Sequence, residues 1–330
     1  MSKFVILDSH ELAGSNFNIE KEILEGQGVE CVIAECKTVE EVLEVAKDAD
    51  GIGLVYVDMN RDLISKLDNC KVIVRYGIGF DTIDVDAASE RDIIVCNLPD
   101  YCQPDVATHT MTLLLDLCRK VTLLDRSCRR GNWSANDGYT INRVSALTLG
   151  LVGFGSIARL FVKYMSGFNM NVIAYDPYLP QSFFDELNVK RVTLDELYEQ
   201  ADAISIHTPL TPETKHLINK DTIAKMKDGV LIVNTARGPI ININDLMDAL
   251  KSGKVKAAGL DVVEIEPIFD ADADIYKLDN IIVNPHSAYN SAEASTEQHQ
   301  KVAYSAIDVL VKNIMPYNAV NKKQLAQVSQ

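Results

Sequence analysis

The sequence predicts an α/β protein of two doubly wound parallel-sheet domains, the second inserted into the first. Three observations carry this: an alternation of β-rich and helix-like segments through residues 1–100, a second alternation from Ala146 onward, and a closing helical stretch from Ser291 to about Asn313 that leads the chain back. Parallel strands need connections of a dozen or more residues, which crossover helices supply, so alternation at this rhythm implies parallel sheets. The length of 330 residues fits two domains of about 150 residues each. The expected division is 1–101 with 298–330 as the outer, flavodoxin-like domain and 102–297 as the insert, with hinges near 101–104 and 290–298.

The first series of strand-like runs is "KFVILD", "ECVIAE", "GIGLVYV", "KVIVRYG" and "IIVCNLP". From Pro104 to about Arg130 the pattern becomes one long helical stretch, with Pro104 suited to its first turn and Arg129 and Arg130 to the negative end of its dipole. The linker "GNWSANDGYTINRVS" ends it at a length where function or interdomain packing is expected. The second series, "LTLGLVG", "MNVIAYD", "DAISIHT", "GVLIVNT", "VKAAGLDV" and "NIIVNP", predicts six further strands. The tail "MPYNAVNKKQLAQVSQ" reads as surface.

Composition excludes several classes. With 47% hydrophobic and 24% charged residues the chain is globular, and a net charge of −15 without a Lys/Arg block argues against nucleic acid as a partner. Phe4–Leu7 is too short for a signal peptide, and Leu113–Leu115 is soon interrupted by Asp116, Arg119 and Lys120. Neither run targets or spans a membrane, so a cytoplasmic protein is expected. The seven cysteines all precede residue 130, and none forms a Cys-x-x-Cys pair. They read as reduced, mostly buried thiols rather than as a metal site or a disulfide framework.

The motif "GFGSIA", residues 153–158, follows a strand and opens a helix. Gly153 permits the tight turn, Gly155 lets backbone approach a pyrophosphate, and Ala158 meets the third position's need for a small residue between helix and strand. Asp176 follows the next strand about twenty residues on, where an acid hydrogen-bonds a ribose 2′-hydroxyl. Its competing reading is an ordinary strand-end turn residue before Pro177. Together they predict a Rossmann dinucleotide domain selective for NAD, because a carboxylate there repels the extra phosphate of NADP.

Arg237 in "VNTARGPI", Asp261 and Glu266 in "AAGLDVVEIEP" and His286 in "IVNPHSAYNS" all fall past strand C-terminal ends, where a doubly wound sheet keeps its ligand crevice. With "RYGIGFD", "VCNLPDYC", "YDPYL", "NTARG", "DVVEIEP" and "HSAYNS" in this order, the chain resembles the D-isomer-specific 2-hydroxyacid dehydrogenases along nearly its whole length. Within them it is most similar to the branch of the C-terminal-binding-protein dehydrogenases.

The resemblance implies hydride transfer between NADH and C2 of a 2-oxo acid, and the residue chemistry agrees. The carbonyl oxygen needs a proton, for which His286 is suited because histidine titrates near neutrality. Glu266, expected as a buried neighbour, would favour the imidazolium and fix the ring. Arg237 offers the planar, permanently charged fork that a carboxylate takes best. Glu264 stands close by, but motif position selects Glu266. The resemblance further implies cofactor contacts at Ser156 and Ile157 under the pyrophosphate, at Thr208, Pro209 and Thr214, at Thr235 and Ala236 near the nicotinamide, and at Asp261 on its carboxamide. His207 is expected to flank the adenosine, His216 to lie on the surface and His109 to pack between domains.

In "RYGIGFDTID", the resemblance places the substrate carboxylate on the amides around Gly77 and Ile78, opposite Arg237, with Tyr76 in the same site and Ile78 also against the cofactor. The bland reading of this stretch is a tight strand-to-helix turn capped by Asp81. Thr108 departs from an acidic residue common in the family, and Tyr289 stands where the C-terminal-binding-protein branch has a pocket-lining tryptophan. Tyr289 therefore argues for an unphosphorylated 2-oxo acid with an apolar or aromatic side chain. The alternatives are phosphoglycerate or hydroxypyruvate/glyoxylate activity, an NAD-sensing corepressor-like binding protein and, less favoured because Glu266 replaces a glutamine, formate or phosphite oxidation. No metal is expected, and the resemblance implies a homodimer formed through the second domain.

Overall fold

The computed structural model describes residues 1–9 and 16–328, the last two by backbone alone. The chain divides into two compact units, residues 1–101 with 291–330 and residues 102–290.

The first unit opens with β1 (Ser2–Ile6), α1 (Asn18–Glu25), β2 (Val29–Ile33), α2 (Val39–Ala46), β3 (Gly51–Leu54), α3 (Arg61–Ser65), β4 (Val72–Arg75), α4 (Val85–Ser89) and β5 (Ile94–Cys96). Its five strands run parallel in the order β2-β1-β3-β4-β5. This is the flavodoxin-like order, with all connections through helices. The strands are near-continuous apolar runs because helices cover both faces of such a sheet, and every residue of β3 is buried. Polar side chains set where the helices start: Thr38 caps α2 in a reciprocal box with Glu41, Asn60 accepts from the Leu63 amide, and Asp84 from the Ala87 amide.

The second unit begins with α5 (Gln103–Arg119) and α6 (Val121–Arg129). The single helix expected here is therefore two. Lys120 takes the left-handed conformation at φ +57°, and its buried ammonium donates to the Asp137 carbonyl of the following linker at 2.7 Å. That long-range bond, with Asp116 accepting from the Thr122 amide at 2.9 Å, fixes a break that apolar spacing does not register. There follow β6 (Thr148–Val152), α7 (Ser156–Met165), β7 (Asn171–Tyr175), α8 (Ser182–Asp185), β8 (Lys190–Arg191), α9 (Leu194–Gln200), β9 (Ala203–Ile206), α10 (Lys220–Lys225), β10 (Val230–Asn234), α11 (Ile243–Ser252), β11 (Val255–Leu260) and β12 (Ile281–Val283). The sheet order is β12-β11-β10-β9-β6-β7-β8, all parallel. The chain enters at the middle and winds out to both edges, which is the Rossmann arrangement. The extra edge strand, β8, is only two exposed basic residues and carries no hydrophobic signal.

The chain then returns through α12 (Ala292–Leu310) and α13 (Lys322–Val328). Ser291 caps α12 by accepting from the Ala294 amide at 3.0 Å, so the return boundary falls at Ser291 rather than at Gln298. The tail is not simply surface. Val320 donates to the Val95 carbonyl at 2.8 Å, and the fully buried Asn321 binds the Val95 amide, the Ile93 carbonyl and the Ser89 hydroxyl. These bonds tie the tail to the open edge of β5. Beyond residue 328 it lies outside the described residues.

All seven cysteines are free thiols, and burial pushes those of Cys31, Cys70 and Cys96 up to about 12 and that of Cys118 to about 11. Among the described residues no helix is long and apolar enough to cross a membrane, and no metal-binding cluster occurs.

Candidate active site

The loop after β6 has the geometry of a phosphate cradle. Gly153 sits at φ +89°, and a Cβ there would stand 2.9 Å from the backbone of His207 and Thr208, so both conformation and space require glycine. Gly155 precedes α7 without a side-chain cap, and a Cβ there would meet nothing within 4 Å. The space beside Gly155 is therefore open, and the first-turn amides with the positive end of the helix dipole are available there to a pyrophosphate, while Ser156 Oγ accepts from Gln103 Nε2 at 3.1 Å and Ile157 packs on the core. Ala158 is fully buried under the sheet, as its small size requires.

Asp176, past β7, accepts from the Phe154 amide at 2.9 Å and from the Tyr178 and Leu179 amides at 3.0 and 3.2 Å. The residue shapes its own turn, and its bond to the Phe154 amide places the carboxylate beside the glycine loop. Past β9, His207 bonds Ser205 Oγ at 2.9 Å and packs its ring on Phe161; burial pushes its imidazole down to about 4, so it is neutral at physiological pH. Thr214 donates its hydroxyl to the Pro209 carbonyl at 2.7 Å and accepts from the Thr211 amide at 2.7 Å. Its side chain closes the loop that starts at Thr208 rather than standing free for a ligand.

The catalytic candidates come from three neighbouring strands. Asn234, Leu260 and Val283 end β10, β11 and β12 side by side in register, so the three exits span about 10 Å at ~4.8 Å per strand. Past β10, the fully buried Asn234 accepts from the Ala236 amide at 3.0 Å and donates to the Arg237 carbonyl at 2.9 Å. Thr235 Oγ1 meets Thr110 Oγ1 at 2.8 Å. A Cβ on Gly238 would stand 1.8 Å from the Val263 carbonyl oxygen, so this glycine lets the Arg237 loop pack directly on the loop after β11. The sequence reading missed Asn234; its only signal is a polar residue closing an apolar strand just ahead of the turn.

Past β12, His286 takes φ +51°, uncommon for a residue with a side chain, and its amide donates to the Asp261 carbonyl at 2.8 Å. The Asp261 carboxylate accepts from the Ser287 and Ala288 amides, each at 2.9 Å, and Asp261 is 1% exposed. The Asp261 carboxylate thus holds the loop that carries His286. His286 Nδ1 lies 2.8 Å from Glu266 Oε2, while Glu266 Oε1 accepts from the Val263 amide at 2.7 Å. The carboxylate side chain is 30% exposed, so Glu266 orients the ring as a partly open neighbour and not as a buried one. Tyr289 stands edge-on to the imidazole, 6.5 Å between centroids.

Glu264 has a different partner. Its Oε1 lies 2.5 Å from His216 Nε2 and its Oε2 accepts from the Ile243 amide at 3.2 Å. Burial works against ionisation, but these two bonds hold its carboxyl below the usual carboxylate range. His216 is therefore half-buried and engaged, not a bare surface residue. His109 also lies within this unit's own site, with Nε2 3.1 Å from Asn284 Oδ1 and 3.5 Å from Asp261 Oδ1. Glu266→Gln is expected to lower kcat about 10- to 100-fold by weakening the support of His286, whereas Glu264→Gln stays within about threefold. Steady-state kinetics on the two variants checks this; a loss confined to residue 264 reverses the assignment.

In the first unit, the turn after β4 is anchored through its carbonyls. Tyr76 O accepts from Gln298 Nε2 at 3.2 Å and Arg75 at 2.8 Å, Gly77 O from the Leu98 amide at 2.8 Å, and Ile78 O from Asn97 Nδ2 at 2.7 Å. Gly77, at φ +153°, donates its amide to the Arg75 carbonyl. The amides of Ile78 and Gly79 meet no acceptor among the described residues. Two expectations change: the Gly77 amide is spent within the turn, and the Tyr76 side chain is 1% exposed with its hydroxyl donating to Glu20 at 2.5 Å, so it belongs to the core.

Residues 111–288 match the family model of the D-isomer specific 2-hydroxyacid dehydrogenase, NAD binding domain, and the chain belongs to this family. It is 35% identical over 328 residues to the hydroxypyruvate reductase of Blautia hydrogenotrophica, covering 97% of this chain and 100% of that protein. It is 40% identical over 311 residues to the D-3-phosphoglycerate dehydrogenase of Methanocaldococcus jannaschii, covering 92% of this chain but only 58% of that relative's length. Among solved structures, D-lactate dehydrogenase from Aquifex aeolicus, complexed with NAD and lactic acid, superposes with a TM-score of 0.83 at 28% identity, covering 98% of each chain.

Proposed function

We propose that the chain reduces a small unphosphorylated 2-oxo acid to the D-2-hydroxy acid with NADH, in a reversible reaction. The observation that carries this is the His286–Glu266 pair at the end of β12, in the same strand-end row as the Arg237 loop. The glycine loop, the open first turn of α7 and Asp176 fit NAD, which when bound supplies the hydride for C2. Glu266 takes the Nδ1 side of the imidazole, leaving Nε2 to hold the proton that the carbonyl oxygen receives as it becomes a hydroxyl. Arg237 is assigned the substrate's carboxylate by a bidentate contact and also polarises the carbonyl; in the first unit, the turn that the resemblance assigns to carboxylate binding carries the Ile78 and Gly79 amides, which have no acceptor among the described residues. Asp261 and Asn234 hold the two loops in register.

Tyr289 beside His286 supports an unphosphorylated substrate with an apolar or aromatic side chain, since an aromatic face offers a phosphate no donor. The end-to-end likeness to a protein named hydroxypyruvate reductase supports an unphosphorylated acid, though one with a polar side chain. The test is NADH oxidation against pyruvate, phenylpyruvate, hydroxypyruvate, glyoxylate and 3-phosphohydroxypyruvate, repeated with NADPH. The expected result is a kcat/KM at least tenfold higher on an unphosphorylated acid than on the phosphorylated one, and NADH preferred. A reversed ratio overturns the substrate class, and inactivity on all five despite tight NADH binding favours the sensor reading.

Homodimerisation through the second unit and a cytoplasmic location complete the proposal. Trp133 on the linker is 92% exposed, an aromatic anchor of the kind that interfaces bury. Light scattering is expected to give a dimer mass, and a monomer at micromolar concentration overturns it.

A further inference from the structure

A polar cluster lies inside the first unit, at residues the chemistry does not use. Glu20 on α1 is fully buried, and its Oε1 accepts from Tyr76 Oη at 2.5 Å and bonds His299 Nδ1 on α12. His299 is also fully buried, and Phe17 packs edge-on against its ring at 5.1 Å. Glu20 Oε2 and His299 Nε2 have no hydrogen-bond partner among the described residues. Taking a carboxyl and an imidazole side chain out of water is costly even when the two are paired, and apolar residues of similar size often fill a core as well or better. The cluster is therefore not explained by stability.

Its geometry gives it another use. Tyr76 is gripped at three atoms: its hydroxyl by Glu20, its amide by the Leu54 carbonyl and its carbonyl by Gln298, the neighbour of His299 on α12. Tyr76 is the residue from which the Gly77–Gly79 turn springs, and the turn leaves only the Ile78 and Gly79 amides without an acceptor. We propose that Glu20, His299 and Gln298 are positioning residues that fix this turn so that the Ile78 and Gly79 amides meet the substrate's carboxylate. They set affinity for the 2-oxo acid and take no part in hydride or proton transfer. The inference rests on the reading of the turn as a carboxylate site given above.

The test uses the full chain with NADH and the 2-oxo acid of highest kcat/KM in the panel. Gln298→Met removes one grip while Arg75 still satisfies the Tyr76 carbonyl, so the fold is spared. It is expected to raise KM about three- to tenfold, the worth of one hydrogen bond, with kcat, the Kd for NADH and Tm little changed. Glu20→Leu is expected to raise KM further, and Glu20→Gln, which keeps an acceptor for Tyr76 Oη, to return most of it. An unchanged KM in Gln298→Met and Glu20→Leu overturns the inference. So does a joint loss of kcat, NADH affinity and Tm, which marks a merely structural role. Gly79→Pro separates the two layers, because it deletes one of the open amides. If it raises KM while the Gln298 and Glu20 variants do not, only the positioning role fails; if it leaves KM unchanged, the carboxylate reading fails and the inference with it.

Discussion

His286→Asn is expected to lower kcat by about 10²–10⁴-fold while the Kd for NADH stays within about twofold. Reduction of a ketone places developing negative charge on the carbonyl oxygen, and without a proton held there the hydride must generate a bare alkoxide. The imidazole is well placed to prevent this. Its backbone is fixed by the Asp261 carbonyl, the following amides by the Asp261 carboxylate, and its Nδ1 by Glu266. Asparagine can adopt the left-handed backbone required at φ +51°, so the substitution removes the proton donor while keeping the loop. Stopped-flow or steady-state turnover with NADH fluorescence titration separates the two quantities. Retained kcat would remove His286 from the proton-transfer role.

Arg237→Lys is expected to lower kcat/KM about 100-fold, and Arg237→Met about 1,000-fold, corresponding to about 2.7 and 4 kcal/mol of lost transition-state stabilisation. The charge survives in lysine, so the first value isolates the bidentate geometry, and the difference between the two reports the charge itself. The loop is rigid enough for such a reading: Asn234 bonds both the Ala236 amide and the Arg237 carbonyl, and Gly238 lies directly on Val263. The same substrate panel measured on each variant is the check. A lysine variant with wild-type kcat/KM would show that the fork is not required.

The architecture was legible wherever it rests on local pattern. Largely apolar runs marked all strands but one, since helices bury a parallel sheet on both faces, and the spacing of Gly153, Gly155 and Ala158 marked the turn into α7 because each position has a separate steric reason. The meeting of Glu266 with His286 was legible because β11 and β12 end side by side, with the Arg237 loop leaving the next strand of the same row. What stayed hidden depends on partners distant along the chain. The break at Lys120 is made by a bond to Asp137, and the tail is held through Asn321 against Ile93 and Val95. Glu20 meets His299 from 279 positions away, so neither residue reads as more than an ordinary helical one. The bonds by which Asp261 holds the His286 loop were likewise hidden, because a motif does not say which backbone a carboxylate also supports. Glu264 and Glu266, two residues apart, were separated by motif position alone, and each has its own histidine.

The loop between β11 and β12 is fastened at its base and bare at its crown. Glu264 and Glu266 are locked to histidines, yet between and beyond them Ile265 is 79% and Phe269 90% exposed. An insertion at the crown is therefore expected to leave both carboxylate–histidine pairs in place.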